Sequence, residues 1–439
     1  MSAQSGADEL QRRYLNDIFA ELCRIESPSG SERACAVRVT QELAALGVEV
    51  HEDDAAGAAC ADSGNLLARI PGAPGGSAPE RPALLLCAHL DTVPLLAPVE
   101  PVIRDGHWEN ANEGILGADN KAAVAVLLAL ARHAHRHTLP VDLELLFTVG
   151  EERALAGAGA FDVTRLRSRL GYVFDHSAPL GGMVLSSPTH YELRATFNGV
   201  AAHSGVRPED GRSAILAAAR AVADMPLGRI DEQSTANVGT IAGGSAINVV
   251  PAHCEILAEV RSHSPERAEE LVGELVDCVH EAANLPDCEC DVDIALRRTF
   301  AGYRISPGTP AVRAAEHALR AIGHEPRRVS SGGASDANAL IAHGLTTVNL
   351  ANGTERNHEP GERIAVAALE ASLDLALALP AAVAAVLAQA QGATHAEASR
   401  AGEPTGPGRP AGAREEAHTG ARPGVGGPPT AAVSLDLGL

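Results

Sequence analysis

The sequence has 439 residues, of which 45% are hydrophobic and 3% aromatic, so it is long enough for two domains with mainly aliphatic cores. Its formal net charge of −21 argues against nucleic-acid binding. No apolar run approaches the roughly 20 residues of a membrane helix, and the polar N-terminus MSAQSGADELQRRYL lacks the apolar core of a secretion signal. Eight scattered cysteines without a CxxC pair indicate a reducing compartment, so we expect a cytoplasmic protein.

The first part of the chain alternates helices with short strands. Two predicted helices, DELQRRYLNDIFAELCRI and ERACAVRVTQELAALG, precede the strand-like segments VEVHED and GNLLARIPG. Three further strands, PALLLCAH, VDLELLFTVG and LGYVFDH, are apolar without alternation, and the long helix KAAVAVLLALARHAH separates the first two. Apolar strands separated by helices are typical of a parallel sheet covered on both faces.

The pattern changes near residue 188 and changes back near residue 303. Alternating strands (YELRATFNGV, HCEILAEVRSH, CDVDIALRRTF) and two helices predict a small α/β sandwich at 188–302, inserted into a larger domain formed by 1–187 and 303–391. The larger domain ends with the helix VAALEASLDLALALPAAVAAVLAQA. Half of residues 402–429 are Gly or Pro, so we predict that 392–439 form a disordered tail.

Histidines and carboxylates recur where the predicted strands end or a long helix begins. They are His89, Asp91, Asp119, Glu151, Glu152, Asp175 and His358. In open α/β sheets, ligands bind at the carboxyl ends of the strands. Each residue alone has a structural explanation, such as a core histidine, a helix N-cap or a solvated loop. Together, so many carboxylates in one cleft would repel each other unless cations were present.

A charge count favours two divalent ions. The carboxylates of Asp119, Glu152 and Asp175, together with a bridging hydroxide, would neutralise two such ions. His89 and His358 would then each serve one ion as a neutral ligand. Histidines among carboxylate oxygens suit zinc, with cobalt or manganese as alternatives.

Two acids are left without a place in this ligand set. Asp91 lies two residues after His89, so its carboxylate could accept the other ring N–H and fix the tautomer. Glu151 lies next to a ligand without being one. It is therefore placed to take a proton from metal-bound water and return it to a leaving amine.

Five segments that carry these residues, and a sixth, AAHSG, follow one another in the order CAHLDTVP, ILGADNKAAVAVL, TVGEE, VFDH, AAHSG and NHEP. In this order they resemble the di-zinc exopeptidase and amidohydrolase family, which includes aminoacylases, succinyl-diaminopimelate desuccinylase, glutamate carboxypeptidases and peptidase T. The resemblance covers about residues 10–390. It is strongest to the peptidase T branch, through GVAAHSGVRPEDGRSAI, MPLGRID, INVVPAHCEILAEVRS and SGGASDANALIAHGLTTVNL.

This resemblance implies a zinc-exopeptidase-like catalytic domain, with a mixed, mostly parallel sheet flanked by helices, and an inserted α/β sandwich that forms a lid and dimerises. It implies a set of metal ligands in which Asp119 bridges: His89, Asp119, Glu152, Asp175 and His358. Glu151 would be the general base and Asp91 the orienting acid. Many relatives have Asp at the position of Asn120, but that acid is not a ligand in the family.

The resemblance also implies residues that contact the substrate. His203, in AAHSG, would reach the active site of a partner subunit and stabilise the tetrahedral oxyanion. Substrate-binding positions match Asn248, Arg261, Gly332 and Gly333. The two glycines could present backbone N–H groups to a substrate carboxylate. For Arg261, an ion pair with a nearby glutamate is an equal alternative.

We therefore expect a cytoplasmic, homodimeric metallopeptidase with two divalent ions, acting on short peptides as a tripeptide aminopeptidase does. A metal-bound hydroxide would attack, with Glu151 as the base. The alternative is an amidohydrolase that acts on N-acyl or N-carbamoyl amino acids, because the ligand set does not separate the two. A non-catalytic binding protein of the same fold is disfavoured, because no ligand, base or orienting acid is missing. Neither nucleic acid nor membrane is expected as a partner.

Overall fold

The computed structural model describes residues 6–73 and 81–401. In these residues the helices are α1 (Glu9–Arg24), α2 (Arg33–Ala45), α3 (Ala56–Ala59), α4 (Ala118–Arg136), α5 (Ala156–Ala160), α6 (Ala214–Asp224), α7 (Pro265–Ala283), α8 (Pro310–Ala321), α9 (Asp336–Ala342) and α10 (Val366–Ala401). The strands of the first half are β1 (Val50–Glu52), β2 (Leu66–Ile70), β3 (Ala83–His89), β4 (Pro101–Arg104), β5 (His107–Asn110), β6 (Asp142–Thr148), β7 (Leu170–His176), β8 (Gly182–Ser187) and β9 (Thr189–Asn198). Those of the second half are β10 (Gly228–Asp231), β11 (Ser234–Gly243), β12 (His253–Ser262), β13 (Asp291–Phe300), β14 (Tyr303–Arg304), β15 (Arg327–Ser330), β16 (Thr346–Ala351), β17 (Thr354–Glu355) and β18 (Arg363–Ala365).

The largest sheet is mixed, as the sequence predicts. Its order is β1-β2-β6-β3-β7-β16-β8-β14, and β15 pairs with β8. The four central strands, β6, β3, β7 and β16, run parallel, and antiparallel pairings lie towards the edges. All seven residues of β3 are buried, because helices and loops cover both faces of this strand. The carboxyl ends of the parallel strands therefore lie along one edge of a buried sheet.

A second, antiparallel sheet lies in the segment predicted to be inserted. Its order is β10-β11-β12-β9-β13, with α6 and α7 packed against it. The element order contains one short strand, β10, more than the predicted β-α-β-β-α-β pattern. Buried apolar side chains form one cluster between Leu193 and Cys290 and another, larger cluster in the rest of the chain. This separation supports a division into two domains, whose boundaries stay a prediction.

A third, four-stranded sheet, in the order β17-β18-β5-β4, is absent from the sequence prediction. Its strands have two to four residues each, too few for an apolar alternation to be recognised. The sheet pairs the segment after β16 with the segment before α4. It therefore connects two parts of the chain that both carry candidate site residues.

The last described helix, α10, extends the predicted closing helix at 366–390 to Ala401, past the predicted start of the tail at residue 392. The remainder of the predicted tail, 402–439, lies outside the described residues. By length and composition, Val366–Ala390 could span a membrane, with a mean hydropathy of 2.0, contrary to our expectation that no apolar run approaches that length. Because Leu369, Leu373 and Leu379 are buried in the larger cluster, this segment packs as a core helix.

Candidate metal centre

Neighbouring parallel strands bring the first predicted ligands together. His89 is the last residue of β3, and Asp175 is the second-to-last residue of β7. Glu151 and Glu152 follow the end of β6 by three and four residues. Because β6, β3 and β7 are adjacent and parallel, these side chains meet at one edge of the sheet.

Two further residues reach the same edge from irregular backbone. Asp119 lies in the first turn of α4, where its φ of −83° and ψ of 101° depart from helical values. His358 lies between β17 and β18 with a φ of 67°, which is uncommon for a residue other than glycine and is found preferentially at functional sites. Its side chain is half-exposed, so it forms the open side of the cluster.

Asp119 lies between the two histidines. Its Oδ1 is 3.3 Å from Nε2 of His89, which is also 3.7 Å from Oδ1 of Asp175. Its Oδ2 is 3.2 Å from Nε2 of His358, which is also 2.8 Å from Oε1 of Glu152. The five side chains thus form two groups that share one carboxylate.

The donor atoms fit divalent ions. Within the described residues, Oδ1 of Asp119 and Oε1 of Glu152 are buried and accept no hydrogen bond, so the contacts with the histidines lack hydrogen-bond geometry. Such oxygens are costly to bury unless a water molecule or a cation satisfies them, and several carboxylates in one site favour the cation. Ligand atoms of His89, Asp119 and Glu152 lie within 4.8 Å of one another, and so do those of His89, Glu151 and Asp175. Imidazole and carboxylate donors at this spacing suit zinc, cobalt or manganese.

The electrostatics of the cluster favour added positive charge. Burial, and then the neighbouring Asp119, raise the pKa of Asp175 to about 8. Contacts with Asp119 and Glu152 raise the pKa of His358 to about 10. Both groups thus hold protons that an isolated side chain would release at neutral pH. Divalent ions would supply positive charge to the cluster in place of these protons.

Glu151 is buried beside this cluster. Burial, reinforced by the charge of Asp175, raises the pKa of the Glu151 carboxyl well above its ordinary range. Its position next to His89 and Asp175 is close enough for it to be a ligand by distance alone. The other five predicted ligands form the two groups described above without it, and its role as a base stays a prediction.

Asp91 contacts the cluster differently from the prediction. Nδ1 of His89 lies 2.9 Å from the main-chain carbonyl oxygen of Asp91 and 3.4 Å from its Oδ1, so the carbonyl is the closer acceptor for the ring N–H. The carboxylate instead accepts the backbone N–H groups of Glu151 and Glu152, at 3.0 and 3.1 Å, and the hydroxyl of Ser29 at 2.7 Å. Asp91 therefore orients His89 through its backbone and holds the turn that carries both glutamates.

Two other contacts in the centre were not predicted as functional. Asn120 donates through Nδ2 to the Phe174 carbonyl at 2.8 Å and to Oδ1 of Asp175 at 3.0 Å, so it orients this ligand. Glu362 accepts three backbone N–H groups around Asp119. Neither residue has a sequence signal of its own, since a lone amide or a glutamate in a polar loop is common. Only their burial distinguishes them.

The residues predicted on the lid do not join the cluster within this chain. Among the described residues, no hydrogen bond or ion pair links the side chains of His203 or Asn248 to it. Both lie in exposed loops, which an isolated β-bridge between His203 and Val249 connects. The Gly205 N–H donates to Nδ1 of His203 at 3.2 Å. Nδ1 is the acceptor in this bond, which leaves the Nε2–H available as a donor.

Arg261 connects the inserted segment to the main domain. Its Nη2 pairs with Oε2 of Glu259 at 3.0 Å, the ion pair weighed as an alternative, and its Nη1 donates to the Gly332 carbonyl at 3.2 Å. The Gly333 N–H donates to Oγ of Ser331 at 3.1 Å within its own loop. The substrate-binding roles of Arg261 and of the two glycines stay predictions.

Two family patterns match the chain. The pattern described as "Peptidase family M28" matches residues 65–183, which include His89, Asp119 and Asp175. The pattern described as "Peptidase dimerisation domain" matches residues 189–284, which include His203 and Arg261. The two matches thus follow the two hydrophobic clusters of the fold.

Whole-length similarities agree with these matches. The chain is 34% identical to the uncharacterized protein YqjE of Bacillus subtilis over 370 residues, which cover 84% of this chain and 98% of YqjE. Aminopeptidase PepT of Bacillus cereus is 35% identical, with a TM-score of 0.76, over 85% of this chain and 99% of PepT. A tripeptidase of Staphylococcus aureus is 32% identical, with a TM-score of 0.78, over 85% of this chain and 98% of the tripeptidase.

Proposed function

Because the chain belongs to the peptidase T-like branch of the metallopeptidases, we propose that it is an exopeptidase that hydrolyses short peptides with two divalent ions. The observation that carries this proposal is the position of Asp119. Its two carboxylate oxygens face Nε2 of different histidines, and each of these nitrogens lies near one further carboxylate, that of Asp175 or Glu152. A shared carboxylate between two such groups is the arrangement that a pair of ions requires.

The two ions, when bound, would polarise the scissile carbonyl and lower the pKa of a water molecule beside them. Glu151 takes the proton of that water and returns it to the departing amine. Its burial raises the pKa of this carboxyl, so Glu151 binds a proton more strongly than an exposed glutamate does. Asp91 fixes the turn on which Glu151 lies, through its two backbone contacts.

The ligand roles are part of the proposal. One ion would be held by His89, Asp119 and Asp175, and the other by His358, Asp119 and Glu152. Zinc is the ion we propose first, with cobalt or manganese as alternatives, because the donor set combines imidazole with carboxylates. We also propose a cytoplasmic location, supported by the free state of the eight cysteines.

The second part of the proposal is a homodimer formed through the inserted domain. The match of residues 189–284 to a dimerisation pattern supports it. His203 of the partner subunit would then donate its Nε2–H to the tetrahedral oxyanion, and Asn248 of the partner subunit would lie beside it. The exposure of both residues in the single chain is the state expected before a partner covers them.

The substrate is proposed from the two similar structures, one an aminopeptidase and one a tripeptidase. We propose a tripeptide with a free N-terminus. Arg261, held by Glu259, would receive its carboxylate.

The test is an assay of the purified protein against tripeptides, dipeptides and N-acyl amino acids, with zinc, cobalt or manganese added after removal of metal by a chelator. We expect the chelator to abolish activity, a divalent ion to restore it, and tripeptides to be cleaved fastest. Activity that persists without metal would contradict the metallopeptidase assignment. Hydrolysis of N-acyl amino acids without cleavage of any peptide would favour the amidohydrolase alternative.

A further inference from the structure

Glu362 is a buried carboxylate that the proposed reaction does not use. It lies four residues after His358, just before β18, and is 1% exposed. Its Oε2 accepts the backbone N–H groups of Leu116 and Gly117 at 2.9 and 2.8 Å, and its Oε1 accepts that of Asp119 at 2.8 Å. Both oxygens therefore accept hydrogen bonds from the loop that leads into α4.

A carboxylate is the side chain that this loop requires. The first N–H groups of a helix have no partner within the helix, and the residue before α4, Gly117, provides no side-chain cap. The backbone of Asp119 is not helical, so its N–H cannot be satisfied by a regular turn. Glu362 supplies both acceptor oxygens from more than 240 residues away. Glutamine would offer one oxygen and would direct its own N–H₂ group at a donor.

The side chain of Asp119 is restrained much less than its backbone. Within the described residues, its Oδ2 accepts one amide bond, from Nδ2 of Asn357 at 2.8 Å, and its Oδ1 accepts none. The position of the carboxylate therefore depends on the backbone that Glu362 holds. Asn357 and Glu362 flank His358 in one short segment, so this segment supplies a histidine and also fixes the carboxylate that faces it.

We propose that Glu362 is a positioning residue for the shared ligand, acting through Asp119 on the affinity of the protein for both ions. This inference rests on the proposed metal centre. It distinguishes Glu362 from Asn120, whose side chain hydrogen-bonds only to Asp175 among the proposed ligands. Loss of Glu362 should weaken the binding of both ions, whereas loss of the Asn120 amide should weaken the binding of one.

The experiment is calorimetric titration of metal-free protein with zinc alone, for the wild type, Glu362→Gln and Asn120→Ala. We expect Glu362→Gln to weaken both binding steps by about 10- to 100-fold, the range typical of residues that orient metal ligands. Asn120→Ala should weaken one step only. A purely structural role would lower the unfolding temperature of the metal-free Glu362→Gln protein and leave both affinities of the folded protein unchanged.

Glu355→Gln is the matched control, because Glu355 lies in the same small sheet but forms an exposed ion pair with Arg363. It should bind both ions as the wild type does. If Glu362→Gln does not fold, Glu362→Asp replaces it and should weaken both steps partially. The inference would be overturned if the variant that folds showed weaker zinc binding in only one of the two steps, or in neither. A wild type that binds fewer than two ions would instead overturn the proposed function.

Discussion

The candidate metal centre and the loops around His203 differ in how many contacts each forms within a single chain. His89 and Asp119 are buried, and backbone and side-chain contacts from several segments hold the cluster in place. The lid loops have few such contacts, and Ile247 is fully exposed at 102% while Val206 is 68% exposed. Exposed apolar side chains near His203 are consistent with the dimer proposed from the match to a dimerisation pattern.

In the proposed dimer, one subunit alone would bind the ions and carry the base, whereas stabilisation of the oxyanion would require the second subunit. The cluster has all the groups needed to bind ions and to move a proton. In the proposed dimer, the inserted segment would contribute an N–H donor, that of His203, to the active site of the other copy. Substitutions in the cluster should therefore affect every chain independently, whereas substitutions in the lid loop should affect the neighbouring subunit.

The largest effect is expected from Glu151→Gln, which removes the proposed base from the cluster. Turnover should fall by roughly 10²–10⁴-fold, because proton transfer to and from the reacting groups is lost while the ligands remain. The measurement is kcat with a tripeptide, together with the metal content of the variant. A folded variant that keeps both ions and turns over at the wild-type rate would contradict the mechanism.

A smaller effect, about 10²-fold in kcat, is expected from His203→Ala, because one oxyanion donor is lost. His280→Ala is the matched control, since His280 is an exposed histidine of α7 in the same domain, and it should leave activity unchanged. The comparison becomes sharper when His203→Ala and Glu151→Gln chains are mixed and allowed to exchange subunits.

In such mixed dimers, one active site contains an intact Glu151 and receives an intact His203 from the partner subunit. The mixture should therefore recover activity that neither variant has alone. If no activity returns although subunits exchange, His203 acts within its own chain and the distinction between cluster and lid is wrong.

The central part of the fold and the cluster could be predicted because their signals are local. Unalternating apolar strands such as LLLCAH indicate a buried sheet, and the residues after each strand must lie at its edge. The structure brings His89, Asp119, Glu152, Asp175 and His358 together, as that reasoning requires, although their roles as ligands stay a prediction.

The remaining features depend on contacts that no short segment reveals. Whether the Asp91 carboxylate bonds to a ring or to the backbone of a distant turn is decided by a few tenths of an ångström. Glu362 cannot be recognised in NHEPGER, because its three partners lie more than 240 residues away. The small third sheet, which brings these segments together, has strands too short to predict.

The most direct test of the central claim is the number of divalent ions that the metal-free wild-type protein binds, measured by titration and by elemental analysis. Two ions per chain are predicted. Asp119→Ala removes the shared carboxylate and should weaken the binding of both ions. One ion per chain in the wild type, or an Asp119→Ala protein that still binds two ions with unchanged affinity, would contradict the account.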